Sequence, residues 1–268
     1  MIYITGDTHR DFRRFSKRGR FRTKCQPGEG DYVIVCGDLG LLWDKSPTFD
    51  FDLEVMSRYP FTLLWVQGNH ENYDMIAEYP VEYWNGGKVR HIIRDKVILL
   101  ERGQVFEIDG KSFFTFGGAS CHDIQDGILD PDDPDFTQKR RQMDRQRKMY
   151  RIRNISWWEA ELPTEEELQE GLQNLKKAGN QVDFIITHCP SGWGTRRVFA
   201  EHGLPTTEQF GYKEDILTEY FDQLEEKVTF THWFFGHLHD DMTLDERHTM
   251  LYFGIVRLTG DEDVYEIV

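Results

Sequence analysis

The chain has 268 residues, of which 39% are hydrophobic and 14% aromatic, enough to bury a substantial core and too apolar for a disordered chain. Its formal charge of −15 repels polyanions at long range, which disfavours nucleic acid or anionic membrane as a bulk partner but leaves room for a local basic patch. Length alone fits one large domain or two small ones.

The first predicted element is a short apolar strand, Ile2–Thr5, which runs into Gly6, Asp7, Thr8 and His9. The same pattern of a strand followed by small or metal-competent residues recurs down the chain. Tyr32–Cys36 leads into Gly37 and Asp38. Pro47–Arg58 then carries Phe49, Leu53 and Met56 at helical spacing. Leu63–Gln67 leads into Gly68, Asn69, His70 and Glu71. A strand at Phe113–Phe116 precedes a stretch of a different kind, residues 119–163, with a proline-broken acidic loop (Asp130 to Asp135) and a basic run. Eight of the fifteen residues in Lys139–Arg153 are Lys or Arg. This stretch reads as an insertion or cap on a single domain spanning 1–268, and the basic run reads as a solvated helix paired with the flanking acidic residues. The competing reading is a lid in which Arg140, Arg141 or Arg145 grips phosphate.

A helix is predicted over Thr164–Ala178, with Thr164 and Glu167 forming a capping box. Phe184–Ile186 leads into Thr187 and His188. The segment Ser191 to Arg197 reads as a loop shaping a pocket, with Arg196 and Arg197 as candidate phosphate contacts. A second helix covers Asp215–Glu226, and Trp233–Phe235 leads into Gly236, His237, Leu238 and His239. Strands alternating with helices predict an α/β layered fold with functional groups outside the strand ends.

Taken singly, Asp7 reads as a helix cap, Asn69 as a turn residue and His188 as a buried, hydrogen-bonded histidine. His237 and His239 lie at strand spacing, which puts both rings on one side. Together the five loops offer carboxylate, amide oxygen and imidazole donors, the set that holds hard or borderline divalent cations. His91, His202, His232 and His248 match no ligand spacing and read as surface or packing residues. His122 reads as packing, with a substrate contact as the alternative. Trp157 and Trp158 read as packing for the cap. Cys25, Cys36, Cys121 and Cys189 are scattered without C-x-x-C spacing, no apolar run approaches the roughly 18 residues that span a bilayer, and the N-terminus lacks a secretory pattern. The expected setting is cytoplasmic, with reduced thiols.

The ordered set Asp7-x-His9, Gly37-Asp38, Gly68-Asn69-His70-Glu71, His188 after a strand, and Gly236-His237-x-His239 resembles the calcineurin-like metallophosphoesterase superfamily. The resemblance implies an α/β fold of four layers, a β-sandwich flanked by helices, with two divalent metals at one end of the sheets. It implies that Asp7, His9, Asp38 and His239 bind the first metal. Asp38, Asn69, His188 and His237 bind the second, so that Asp38 bridges. His70 then protonates the leaving oxygen or steadies the transition state, and Glu71 supports the loop. The implied reaction is attack of metal-bound hydroxide on a phosphate mono- or diester, with manganese, or iron with zinc, suiting the mixed ligands. A Ser/Thr protein phosphatase-like enzyme and a catalytically silent scaffold are the alternatives. Against the protein phosphatases, Gly37-Asp38 is followed by Leu39-Gly40 rather than by the arginine motif of that branch, and Arg10 stands where a glycine is usual. Asp44 is a candidate to orient His70. The motifs locate no phosphate-clamping arginine, and they are silent on oligomeric state.

Overall fold

The computed structural model describes residues 1–16, 18–19, 21–204, 212–258 and 265–267. Near the N-terminus, strands β1 (Ile2–Thr5), β2 (Tyr32–Val35) and β3 (Thr62–Trp65) alternate with helices α1 (Pro47–Ser57) and α2 (Tyr73–Ala77). Each of these strands is rich in β-branched, leucine or aromatic side chains and buried along nearly its whole length, as a parallel strand covered on both faces must be. The next stretch is all strand: β4 (Glu82–Trp84), β5 (Gly87–Ile93), β6 (Val97–Leu100), β7 (Gln104–Ile108) and β8 (Lys111–Phe116). Two of its turns are Asn85-Gly86, with φ of 47° and 97°, and Asp109-Gly110, with φ of 51° and 74°. Left-handed backbone at both positions matches the twist of the antiparallel strands they join. Then follow β9 (Ile128–Leu129), α3 (Phe136–Gln146), β10 (Arg151–Ile152), α4 (Glu165–Lys177), β11 (Gln181–Thr187) and α5 (Gly192–Glu201). The last elements are α6 (Ile216–Lys227), β12 (Thr229–Phe235), β13 (Met242–Asp245), β14 (His248–Met250), β15 (Ile255–Leu258) and β16 (Tyr265–Ile267).

An eight-stranded sheet has the order β16-β15-β1-β2-β3-β6-β5-β4, and a six-stranded sheet has the order β13-β14-β12-β11-β8-β7. Strand alternation divides the apolar core into three. Ile2, Ile4, Ile34 and Leu64 of the first sheet meet Phe113, Phe184, Ile186 and Phe234 of the second in a dry central layer. Tyr3, Val33, Leu63 and Trp65 point the other way, onto Phe15, Met56 and Phe61. From the second sheet, Phe116, Ile185 and Trp233 turn outward onto Leu168 and Leu175 of α4 and Leu217, Phe221 and Leu224 of α6. The result is the expected helix–sheet–sheet–helix stack.

The expected capping box opens α4: the Thr164 hydroxyl accepts from Glu167 N at 3.2 Å and the Glu167 carboxylate accepts from Thr164 N at 2.8 Å. Asp215 caps α6 by accepting from Leu217 N and Thr218 N, each at 2.9 Å. One expectation is corrected. Ser191 to Arg197 is not a loop but the cap and first turns of α5, where Ser191 Oγ accepts from Gly194 N at 3.1 Å. Gly192 and Gly194 lower the intrinsic helix propensity, and the serine cap offsets that cost. Residues 119–163 occupy the connection from β8 to α4, where β9 and β10 pair as a separate two-stranded sheet and α3 has no buried residue.

Candidate metal centre

β1, β2 and β3 are adjacent and parallel in one sheet, and β11 and β12 are adjacent and parallel in the other. The ends of these five strands converge. Gly236 N donates to His188 O at 2.8 Å, and His237 N donates to the Asp7 carboxylate at 3.1 Å, which ties the two sheets together at this edge. His9, Asp38, His237 and His239 all have positive φ, between 43° and 70°. For non-glycine residues this is costly, and such strain persists where the surroundings over-determine it, often at functional sites. Arg10 also has positive φ, 64°, which accounts for the glycine usual at that place. Two glycines are required for close approach: a Cβ on Gly68 would lie 1.9 Å from Asp38 Oδ1, and one on Gly236 would lie 2.1 Å from Asp7 Oδ1.

Asp7 and Asp38 are fully buried, at 0% and 1% exposure. Donor atoms of Asp7, His9, Asp38 and His239 all lie within 4.8 Å of one another. His239 Nε2 is 3.2 Å from Asp7 Oδ2, and His9 Nε2 is 3.6 Å from the same oxygen. On the other side of Asp38, His188 Nε2 is 3.5 Å from Asp38 Oδ2 and 3.2 Å from Asn69 Oδ1. The His188 and His237 rings are 4.9 Å apart. Asp38 Oδ2 thus stands between two donor sets, since it is also 3.7 Å from His9 Nε2. Its other oxygen accepts from His70 N at 2.7 Å, so the Asn69-His70 loop is pinned to the same carboxylate. The structure brings all seven predicted donors and His70 to one place.

The electrostatics ask for a cation. Burial alone would raise the Asp38 carboxyl, but the facing His188, His70 and His9 outweigh it and hold the group far below the usual carboxylate range. Asp7 behaves alike, burial opposing and His188, His239 and His9 prevailing. Burial keeps His237 neutral, well below the usual imidazole range, which leaves its lone pair free to coordinate. His9 Nε2 and His239 Nε2 face each other at 2.8 Å, a pair of lone-pair nitrogens that one proton or a cation must reconcile. Among the described residues, Nδ2 of the buried Asn69 amide has no partner, while its carbonyl oxygen is 3.2 Å from His188 Nε2. The donor set fits divalent metal at this place.

The surroundings of His70 hold one residue that spacing did not single out, Trp43. Trp43 stacks on the His70 ring at 6.2 Å and 30°, and Trp158 braces Trp43 edge-on at 5.8 Å. Trp158 Nε1 donates to Asp74 at 2.9 Å, so the expected packing role of Trp158 holds and reaches the site. Tyr252 stacks on His239 at 4.9 Å. Glu71 is fully buried and accepts from Leu39 N at 2.9 Å, holding the loop after Asp38. Asp44 does not meet the expectation placed on it: its carboxylate accepts from Arg10 Nη1 and Ser46 N, both at 3.2 Å. His122 is nearer the site than expected. Its ring lies 5.7 Å from that of His237 and stacks on Tyr212 at 4.6 Å. His202 pairs with Asp240, His232 and His248 are buried among other groups, and the four cysteines are buried and form no disulfide among the described residues. Among the described residues, no helix is long and apolar enough to cross a membrane.

A family model for calcineurin-like phosphoesterases matches residues 1–241, a span that holds every strand-end loop of the cluster. No curated protein matches the chain. The chain belongs to the calcineurin-like phosphoesterase family, whose members are metal-dependent hydrolases of phosphoric esters.

Proposed function

We propose that this calcineurin-like phosphoesterase is a dinuclear enzyme, with Asp7, His9, Asp38 and His239 around one divalent cation and Asp38, Asn69, His188 and His237 around the other. The observation that carries this reading is the position of the Asp38 carboxylate, 3.7 Å from His9 Nε2 on one side and 3.5 Å from His188 Nε2 on the other. Manganese, or iron with zinc, suits three oxygen donors mixed with four imidazoles.

When bound, the cation pair supplies an activated water and neutralises charge on the phosphoryl oxygens. The chain's own groups do the rest. Asp38 fixes the spacing of the two sets. His188 is oriented by Nδ1, which is 2.8 Å from Cys36 O, so that Nε2 faces the cluster. His70 holds a proton for the leaving oxygen, its ring steadied by Trp43 and its backbone by Asp38. Dry strands beneath the site keep the dielectric low, which strengthens every charge interaction within it. Residues 1–268 act as one catalytic domain, and 119–163 form its cap. The acidic surface favours a small ester over nucleic acid, and cytoplasmic residence agrees with four cysteines that form no disulfide among the described residues.

Hydrolysis of paired chromogenic phosphate monoester and diester substrates by metal-stripped protein, with Mn²⁺ restored, tests the reading. Turnover that returns with the metal supports it. Absence of turnover while two ions are bound would leave a retained-fold binder instead.

A further inference from the structure

The basic run of the cap divides in two. Lys139, Lys148 and Arg153 are 49%, 42% and 44% exposed and pair with Asp133, Asp126 and Asp130. Arg140, Arg141, Arg145 and Arg147 are exposed. Arg151 differs, for its side chain is only 20% exposed and forms an ion pair with Asp123 inside the cap. Backbone pairing fixes this placement, since Arg151 opens β10 opposite Ile128 of β9.

Ring contacts carry the cap to the metal centre on two sides. On one, Asp123 follows His122, whose ring lies 5.7 Å from His237. On the other, Trp158 braces Trp43 against His70. Arg151 shares the Asp123 carboxylate with His122, whose Nε2 is 3.5 Å from Asp123 Oδ1, and so sits beside the ring that abuts His237.

Other arginines near the strand ends are committed as struts. Arg10 binds Asp44, Asp52 and Thr48. Arg14 donates to the carbonyls of Asp7 and Tyr252. Arg102 is buried and donates to Gly117 O, Ala160 O and Glu161 O. Arg196 and Arg197, expected as phosphate contacts, pair with Glu214 and Glu201. Among the described residues, the Asp123 carboxylate accepts from Nη2 alone and so engages only part of the five-donor Arg151 fork.

We infer that Arg151 is the phosphate-binding arginine of this enzyme and that it selects monoesters. The inference rests on the dinuclear reading above. A monoester carries three terminal oxygens, so with two facing the cations the third is left for the guanidinium fork. A diester has only two terminal oxygens, and both are taken by the cations. Asp123 holds the fork in place, as a carboxylate commonly does for a bidentate arginine.

The test uses the metal-loaded full chain, its Arg151→Ala and Arg151→Met variants, inorganic phosphate binding by calorimetry, and kinetics on a monoester and a diester. Loss of charge-assisted hydrogen bonds should weaken phosphate binding and raise the monoester KM by about 10- to 100-fold. Diester kinetics should shift far less, and both ions should remain bound. Arg151→Met keeps the packed stem and gives the same comparison if the alanine variant fails to fold. Equal losses on both esters, or unchanged phosphate affinity, would overturn the assignment. Fewer than two ions in the wild type would refute the dinuclear reading, and phosphate affinity alone would then decide whether Arg151 binds the anion.

Discussion

Two regions of the molecule are rich in charge and resemble each other in nothing else. The strand-end cluster buries two carboxylates and three further donor residues to near-zero exposure and holds four of its residues in left-handed backbone. The cap around α3 leaves most of its charges at the surface, where Lys139, Lys148 and Arg153 pair with Asp133, Asp126 and Asp130. In water such exposed pairs contribute little, whereas buried carboxylates facing imidazoles are strongly shifted. Charge density alone therefore says little about where chemistry occurs. Burial against complementary groups says more, and Arg151 is the point where the cap adopts the behaviour of the cluster.

The largest effect that would break this contrast is at His70. His70→Asn should lower kcat by about 10²- to 10⁴-fold, the usual contribution of a general acid, while metal analysis finds both ions in place. Loss of metal in that variant would make His70 a ligand and not an acid. Next comes the brace that joins the two regions. Trp158 is 2% exposed, so Trp158→Ala should cost about 3–5 kcal/mol in denaturant unfolding. It should also lower kcat more than it changes KM, because Trp43 loses its support against His70. A variant with full stability and full kcat would show that cap and site are energetically separate.

Glu161 sharpens the comparison, since it is a cap residue buried like the cluster. Burial pushes its carboxyl up to about 9 from an ordinary 4.5, so the folded state keeps a proton that the unfolded state has lost. Stability from this group is fully present below pH 4.5 and declines as pH rises towards 9. Glu161→Gln should be more stable than the wild type by about 1–3 kcal/mol at pH 7, with the difference vanishing below pH 4.5 in melts across that range. A pH-independent difference would show that the carboxyl is not protonated in the fold. The smallest effect is expected from Arg140, Arg141 and Arg145. Replacing all three with alanine should leave KM unchanged, and a sharp rise would revive the lid reading.

Much of the cluster was legible because its signal is local. A short run rich in β-branched, leucine or aromatic residues leads into a donor at each strand end, with a glycine between them at four of the five, as at Tyr32–Cys36 before Gly37-Asp38. Helix α4 was equally readable from Thr164 and Glu167. Asn85-Gly86 and Asp109-Gly110 were hairpin signals that were present and passed over. Helix α5 was hidden by Gly192 and Gly194, which a serine cap offsets. Past the family match, β13, β14, β15 and β16 complete both sheets, and the pairing of β15 with β1, from opposite ends of the sequence, has no local signature. The same holds for Trp43 on His70, Tyr252 on His239 and Arg151 beside Asp123. These contacts join elements that meet only in three dimensions.

The central claim is that Asp38 bridges two cations, and titration of metal-stripped protein with Mn²⁺, followed by electron paramagnetic resonance, tests it most directly. The account predicts two ions per chain with the spectrum of a spin-coupled pair in the wild type, and loss of that coupling together with turnover in Asp38→Asn. A single uncoupled ion in the wild type, or a coupled pair that survives in Asp38→Asn, would contradict it.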